Sequence, residues 1–211
     1  MAKNNKRLTL TLAYAREHWK DGEIKAIGCY SRITPQAARF LSRYAHRLCL
    51  WGLDELSPYS ANLLSNSEAH TLYLDGLTHV SKELMQTIAW FCGERLSLSG
   101  LSRLSEDTAC VIAQTRAKEL YLDGLKELSI NEASALVQFK GNLLSLKGIE
   151  CMTSDVESIL QKRQAKVLVL RNLAELQDSV IANDFACLAQ LDHDQEVHRG
   201  YVSRGEQVRQ S

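Results

Sequence analysis

The histidines and cysteines of this chain, six of each, are the side chains best suited to hold a metal ion or to act as base and nucleophile. His18, His46, His70, His79, His193 and His198 are scattered, and only the last pair, with Asp192 and Asp194 beside and between them, comes near a ligand spacing. That pair stands in a polar, unpatterned stretch, a poor cage for an ion. Cys29, Cys49, Cys92, Cys110, Cys151 and Cys187 contain no CxxC pair and read as buried free thiols of a reducing compartment. Neither a phosphate loop nor a Gly-rich nucleotide fingerprint is written in the chain. Lys162, Arg163, Lys166 and Arg171 form a modest basic cluster without an aromatic ladder, which reads as solvated surface. The chemistry-bearing residues thus point to no catalytic group, no cofactor and no metal, and to binding rather than catalysis.

Composition narrows the partners further. Lys and Arg number 25 and Asp and Glu 25, so the net field gives no reason to expect nucleic acid or an anionic membrane. No apolar run approaches the roughly 18 residues of a membrane span, and the basic start MAKNNKR is followed by Arg16, Glu17 and Lys20, so a cytoplasmic protein is expected.

What must position any site is a repeat. LYLDGL occurs at Leu72 to Leu77 and at Leu120 to Leu125, with LSLSGL midway at Leu96. A 24-residue period puts Leu48, Leu72, Leu96, Leu120, Leu144 and Leu168 in one column and Leu50, Leu74, Leu98, Leu122, Leu146 and Leu170 in another. Two positions on stand Gly52, Gly76, Gly100, Gly124 and Gly148, then Asn172, a column that suggests left-handed backbone. Ser57, Ser81, Ser105, Ser129 and Thr153 follow an apolar column and precede helically spaced apolar residues, as N-caps do. Pro58 takes the first helical position, and Ser129 with Glu132 makes a capping box. Each unit is therefore a short strand, a turn and a helix. A worn copy spans residues 25–47, with a poor strand at Lys25 to Cys29 and Ile33-Thr34-Pro35 before its helix. The expected organisation is an N-terminal cap at 1–24 with a helix near Leu12 to Trp19, repeats over 25–191, and a polar tail at 192–211.

The pattern LxLxGLxxLSxxxAxxL resembles the leucine-rich repeat, whose period range includes 24 residues. It is most similar to compact bacterial forms with a true helix on the convex side, and it departs from the family in carrying no Asn or Cys ladder after the strand. The resemblance implies an α/β solenoid with short parallel strands on the concave face and helices on the convex one.

On such strands alternate side chains face out. The outward columns are then Cys49, Tyr73, Ser97, Tyr121, Ser145, Val169 and Trp51, Asp75, Ser99, Asp123, Lys147, Arg171. Cys49 has no histidine in the neighbouring outward columns to activate it. The second column passes from aromatic through acidic and small to basic, and Trp51 with the two tyrosines of the first column, near two aspartates, gives the aromatic enrichment of a protein interface. Trp51, Tyr73, Asp75, Ser99, Tyr121, Asp123, Lys147 and Arg171 are the candidate partner-binding residues. The partner is expected to be a protein, as for an adaptor, inhibitor or effector. Self-assembly is the first alternative, and an enzyme with a site between cap and tail the second.

Overall fold

The hydroxyl residues before each apolar run fix where the helices begin. In the computed structural model, which describes residues 8–20, 23–24 and 29–170, seven helices open on a Thr or Ser cap. These are α1 (Leu12–Glu17), α2 (Pro35–Tyr44), α3 (Pro58–Ser65), α4 (Lys82–Ile88), α5 (Glu106–Ile112), α6 (Ile130–Leu136) and α7 (Ser154–Leu160). Thr11, Thr34, Ser57, Ser81, Ser105, Ser129 and Thr153 each accept from the backbone N–H three residues on, which removes one orphan donor per helix. Ser129 and Glu132 form the expected capping box, and Ser105 forms a second with Thr108.

The strands follow the leucine columns. β5 (Arg47–Cys49), β6 (Thr71–Tyr73), β7 (Arg95–Ser97), β8 (Glu119–Tyr121), β9 (Leu143–Leu146) and β10 (Val167–Leu170) lie in chain order in one open, six-stranded parallel sheet. Their register pairs Leu48 with Leu72, Leu72 with Leu96, Leu96 with Leu120, Leu120 with Leu144 and Leu144 with Leu168, so the sequence period is the strand-to-strand step. Leu48, Leu50, Leu72, Leu74, Leu96, Leu98, Leu120, Leu122, Leu144 and Leu146 are all buried, in one core with Ala61, Leu64, Met85, Ile88, Ala109, Ile112, Ala133, Leu136, Val156 and Leu160 of the helices. Each helix packs on the next, from α1 to α7.

The N-terminal region carries a unit that the sequence reading treats only as a cap. β1 (Thr9–Leu10) pairs in parallel with β4 (Arg32–Ile33), and between them β2 (Trp19–Lys20) and β3 (Glu23–Ile24) form a small antiparallel pair. Leu10-Thr11 stands 23 residues before Ile33-Thr34, as Ile33-Thr34 does before Leu56-Ser57, and Ala15, Ala38 and Ala61 keep the same offset. All three alanines are buried in the core. The expected poor strand at Lys25 to Cys29 falls mostly outside the described residues, and Cys29 itself is not in a strand. The described residues lie within one compact unit, Met1–Arg171; Asn172, Asp184 and the expected tail lie outside them.

The glycine column has a different cause from the one expected. At Gly76, Gly100, Gly124 and Gly148 the backbone is not left-handed; instead a Cβ would strike carbonyl oxygens of the preceding unit, those of Asp75 and Leu77 in the case of Gly100. These positions need glycine because two backbone turns stack in contact.

Candidate functional site: the outward face of the sheet

With the leucines turned to the helices, the opposite face of the sheet presents three rows across the strands. Two of them are the outward columns expected from the sequence, and the third, not expected from it, is Arg47, Thr71, Arg95, Glu119, Leu143 and Val167. Its signal was present, since Arg95 and Glu119 are opposite charges 24 residues apart. Arg95 Nε donates to Glu119 Oε2 at 2.7 Å, and the Tyr121 hydroxyl donates to the same oxygen at 2.9 Å. Burial alone would lower the Arg95 pKa, but the hydrogen bond and charge of Glu119 outweigh it and hold Arg95 above its ordinary value. Burial, with Glu119 beside it, raises the Tyr121 hydroxyl well above the usual range.

The repeated Tyr-x-Asp of LYLDGL serves a second network. Asp75 Oδ1 accepts from the Ser97 hydroxyl at 2.5 Å and from the Ser99 backbone N–H at 2.8 Å. Forty-eight residues on, Asp123 Oδ1 accepts from the Ser145 hydroxyl at 2.6 Å and the Lys147 N–H at 3.0 Å. Ser97 and Ser145 lie in register between bulkier neighbours, Tyr73 with Tyr121 and Tyr121 with Val169, and are 4% and 0% exposed. Units with Tyr and Asp thus alternate with units that answer with Ser. The other edge alternates in phase: Phe91 and Phe139, in the Tyr-Asp units, are fully buried with their rings over Gly93 and Gly141. The intervening units have Ser67 with Ala69, Thr115 with Ala117 and Arg163 with Ala165 at those positions. The 48-residue recurrence is a two-unit packing cell.

The outward columns are therefore less open than the sequence suggested. Ser97, Tyr121, Ser145 and Val169 are buried; bulkier neighbours one strand away close over the two serines, and the hydroxyls of Ser97, Tyr121 and Ser145 bond within the sheet. Trp51, Tyr73, Asp75, Ser99, Asp123 and Lys147 are half-buried on that face, and Cys49 is half-buried beside them. Arg171 lies outside the described residues. Asp75 and Asp123, read as groups facing a partner, hold successive units together through Oδ1.

The other chemical candidates stay apart. His46 and His70 stack with ring centroids 6.3 Å apart, and the His79 ring lies 3.0 Å from the Thr78 hydroxyl. His193 and His198 lie outside the described residues, among which no group of three or more His, Cys, Asp or Glu side chains is gathered as for a metal ion. The expectation of buried thiols fails: Cys92, Cys110 and Cys151 are exposed and Cys29 and Cys49 half-buried, while Cys187 is outside the described residues. Cys92 and Cys151 stand in irregular connecting segments and Cys110 on the solvent side of α5, none of them in a core column. No described helix is long and apolar enough to cross a membrane.

Comparison of the chain with protein-family models, with curated proteins and with solved structures finds no match.

Proposed function

We propose that the chain is a leucine-rich-repeat-like solenoid that acts by binding another protein on its concave sheet rather than by catalysis. The observation that carries this reading is a preformed surface. Half-buried Trp51 and Tyr73 sit in register beside polar groups already fixed by the Asp75, Asp123 and Arg95–Glu119 networks. Side chains held this way lose little rotamer freedom when a partner docks, at ~0.5–1.5 kcal/mol spared per side chain. Trp and Tyr are the residues most often found at the energetic centre of interfaces. Tyr121 belongs to the framework in this reading and Tyr73 to the contact.

The test is a pull-down from native lysate with wild type beside a Trp51→Ala, Tyr73→Ala variant of matching circular dichroism, with light scattering on the input. A protein kept by the wild type and lost by the variant is the expected result. Equal retention by both, or concentration-dependent growth of the wild type alone, would replace this reading with another face or with self-assembly.

A further inference from the structure

Lys162, Arg163 and Lys166, three members of the basic cluster read from the sequence, are one part of a longer strip. The turns that lead from helix to strand in three successive units, 113–118, 137–142 and 161–166, contain Arg116, Lys118, Lys140, Lys162, Arg163 and Lys166 and no acidic residue. All are exposed except Arg163, which is half-buried. Compensation of helix dipoles does not account for them, because that effect is confined to the last turn and α4 to α7 carry no basic residue there. Among the described residues only Lys118 makes an ion pair across the turns, with Glu94 at 3.2 Å. Arg163 Nε is buried with no hydrogen-bond partner among the described residues. At the head of the strip Trp90 is 60% exposed and lies under the Arg116 guanidinium, 5.4 Å from ring centroid to Cζ.

We propose that this edge is a second binding surface, separate from the sheet face, and that its ligand is an extended acidic polypeptide segment. Strands stack about 4.8 Å apart and helices about 8–10 Å apart, so the turns joining them are spaced between those values. Alternate side chains of an extended peptide, about 6.6–6.8 Å apart, can each meet one turn. Gln114, Gln138 and Asn142 are interleaved with the cations and offer amide donors to the peptide backbone, while Gln164 Nε2 donates to Gln138 Oε1 at 2.9 Å. A longer polyanion fits less well. The strip ends where Glu94 and then Glu68 stand exposed on the same edge, and Trp90, in the preceding turn at 89–94, is the one exposed aromatic residue of the helix-to-strand turns from 89 to 166. Single-stranded nucleic acid asks for a row of stacking rings.

Fluorescence anisotropy with labelled decaglutamate, at about 0.15 M salt, tests this. Wild type should bind, and Lys140→Gln, Lys162→Gln, Lys166→Gln should weaken binding at least ~10-fold with an unchanged melting midpoint. Arg32→Gln, Lys82→Gln, Lys126→Gln, which removes the same charge elsewhere, should keep wild-type affinity, as should Trp51→Ala, Tyr73→Ala. No binding by wild type, equal loss in both Gln variants, or tighter binding of a ten-nucleotide oligothymidine than of decaglutamate would each overturn the proposal.

Discussion

Gly100 shows how one residue type answers to two physical demands. Positive φ and close backbone approach both select glycine, so the column was legible in the sequence while its cause was not. The two causes predict different mutants: a left-handed position tolerates Asn, whereas a Cβ here meets the carbonyls of Asp75 and Leu77 whatever follows it. Gly100→Asn and Gly100→Ala should therefore both lower stability by ~1–3 kcal/mol in urea melts, as overpacked sites do; a tolerated Asn would restore the left-handed reading. Tyr121 makes a second test through pH. Its hydroxyl ionises at about 10 when unfolded and higher when folded. Below pH 10 both states keep the proton and the contribution to stability is complete. Above it the unfolded state alone loses the proton, and stability falls by ~1.4 kcal/mol per pH unit until the folded value is reached. Tyr121→Phe should cost ~1.5–3 kcal/mol at neutral pH, through the lost bond to Glu119. Its stability should fall less steeply above pH 10, and parallel alkaline limbs would contradict the burial.

At the scale of the element, strand and helix positions were written in leucine spacing and capping hydroxyls, because both are local and periodic signals. The first unit, capped by Thr11, escaped because no proline follows its cap, as Pro35 and Pro58 follow Thr34 and Ser57 in the units that the sequence does reveal. The Asp networks escaped for another reason: Asp75 and Ser97 are 22 residues apart, and nothing in either residue alone says that a carboxylate after one strand bonds a hydroxyl in the next. Asp123→Ala should destabilise by ~1–3 kcal/mol, since it leaves the fully buried Ser145 hydroxyl without its acceptor. Asp123→Asn keeps an acceptor oxygen and should cost less. Equal melting midpoints for Asp123→Ala and wild type would separate the Tyr-Asp recurrence from packing altogether.

For the molecule as a whole, the parallel stack sets one face of side chains in register, and that face is what the sequence resolved least. Alternation told which residues point away from the core; it did not tell how far neighbours one strand away bury them, since burial there depends on residues 24 apart filling each other's gaps, as Tyr73 and Tyr121 do around Ser97. Exposed ion pairs between successive units, such as Lys82 with Asp107 at 3.1 Å and Lys126 with Glu150 at 2.8 Å, align the stack without adding much to its stability, at ~0–1 kcal/mol each. The central claim is that the sheet face is where a protein partner docks. The most direct measurement places a photoreactive phenylalanine analogue at Tyr73 or, as control, at Tyr59, which is 59% exposed on α3, and irradiates each in native lysate. A discrete protein adduct from Tyr73 and none from Tyr59 is the predicted result. Adducts from Tyr59 alone, or the same adducts from both, would contradict it.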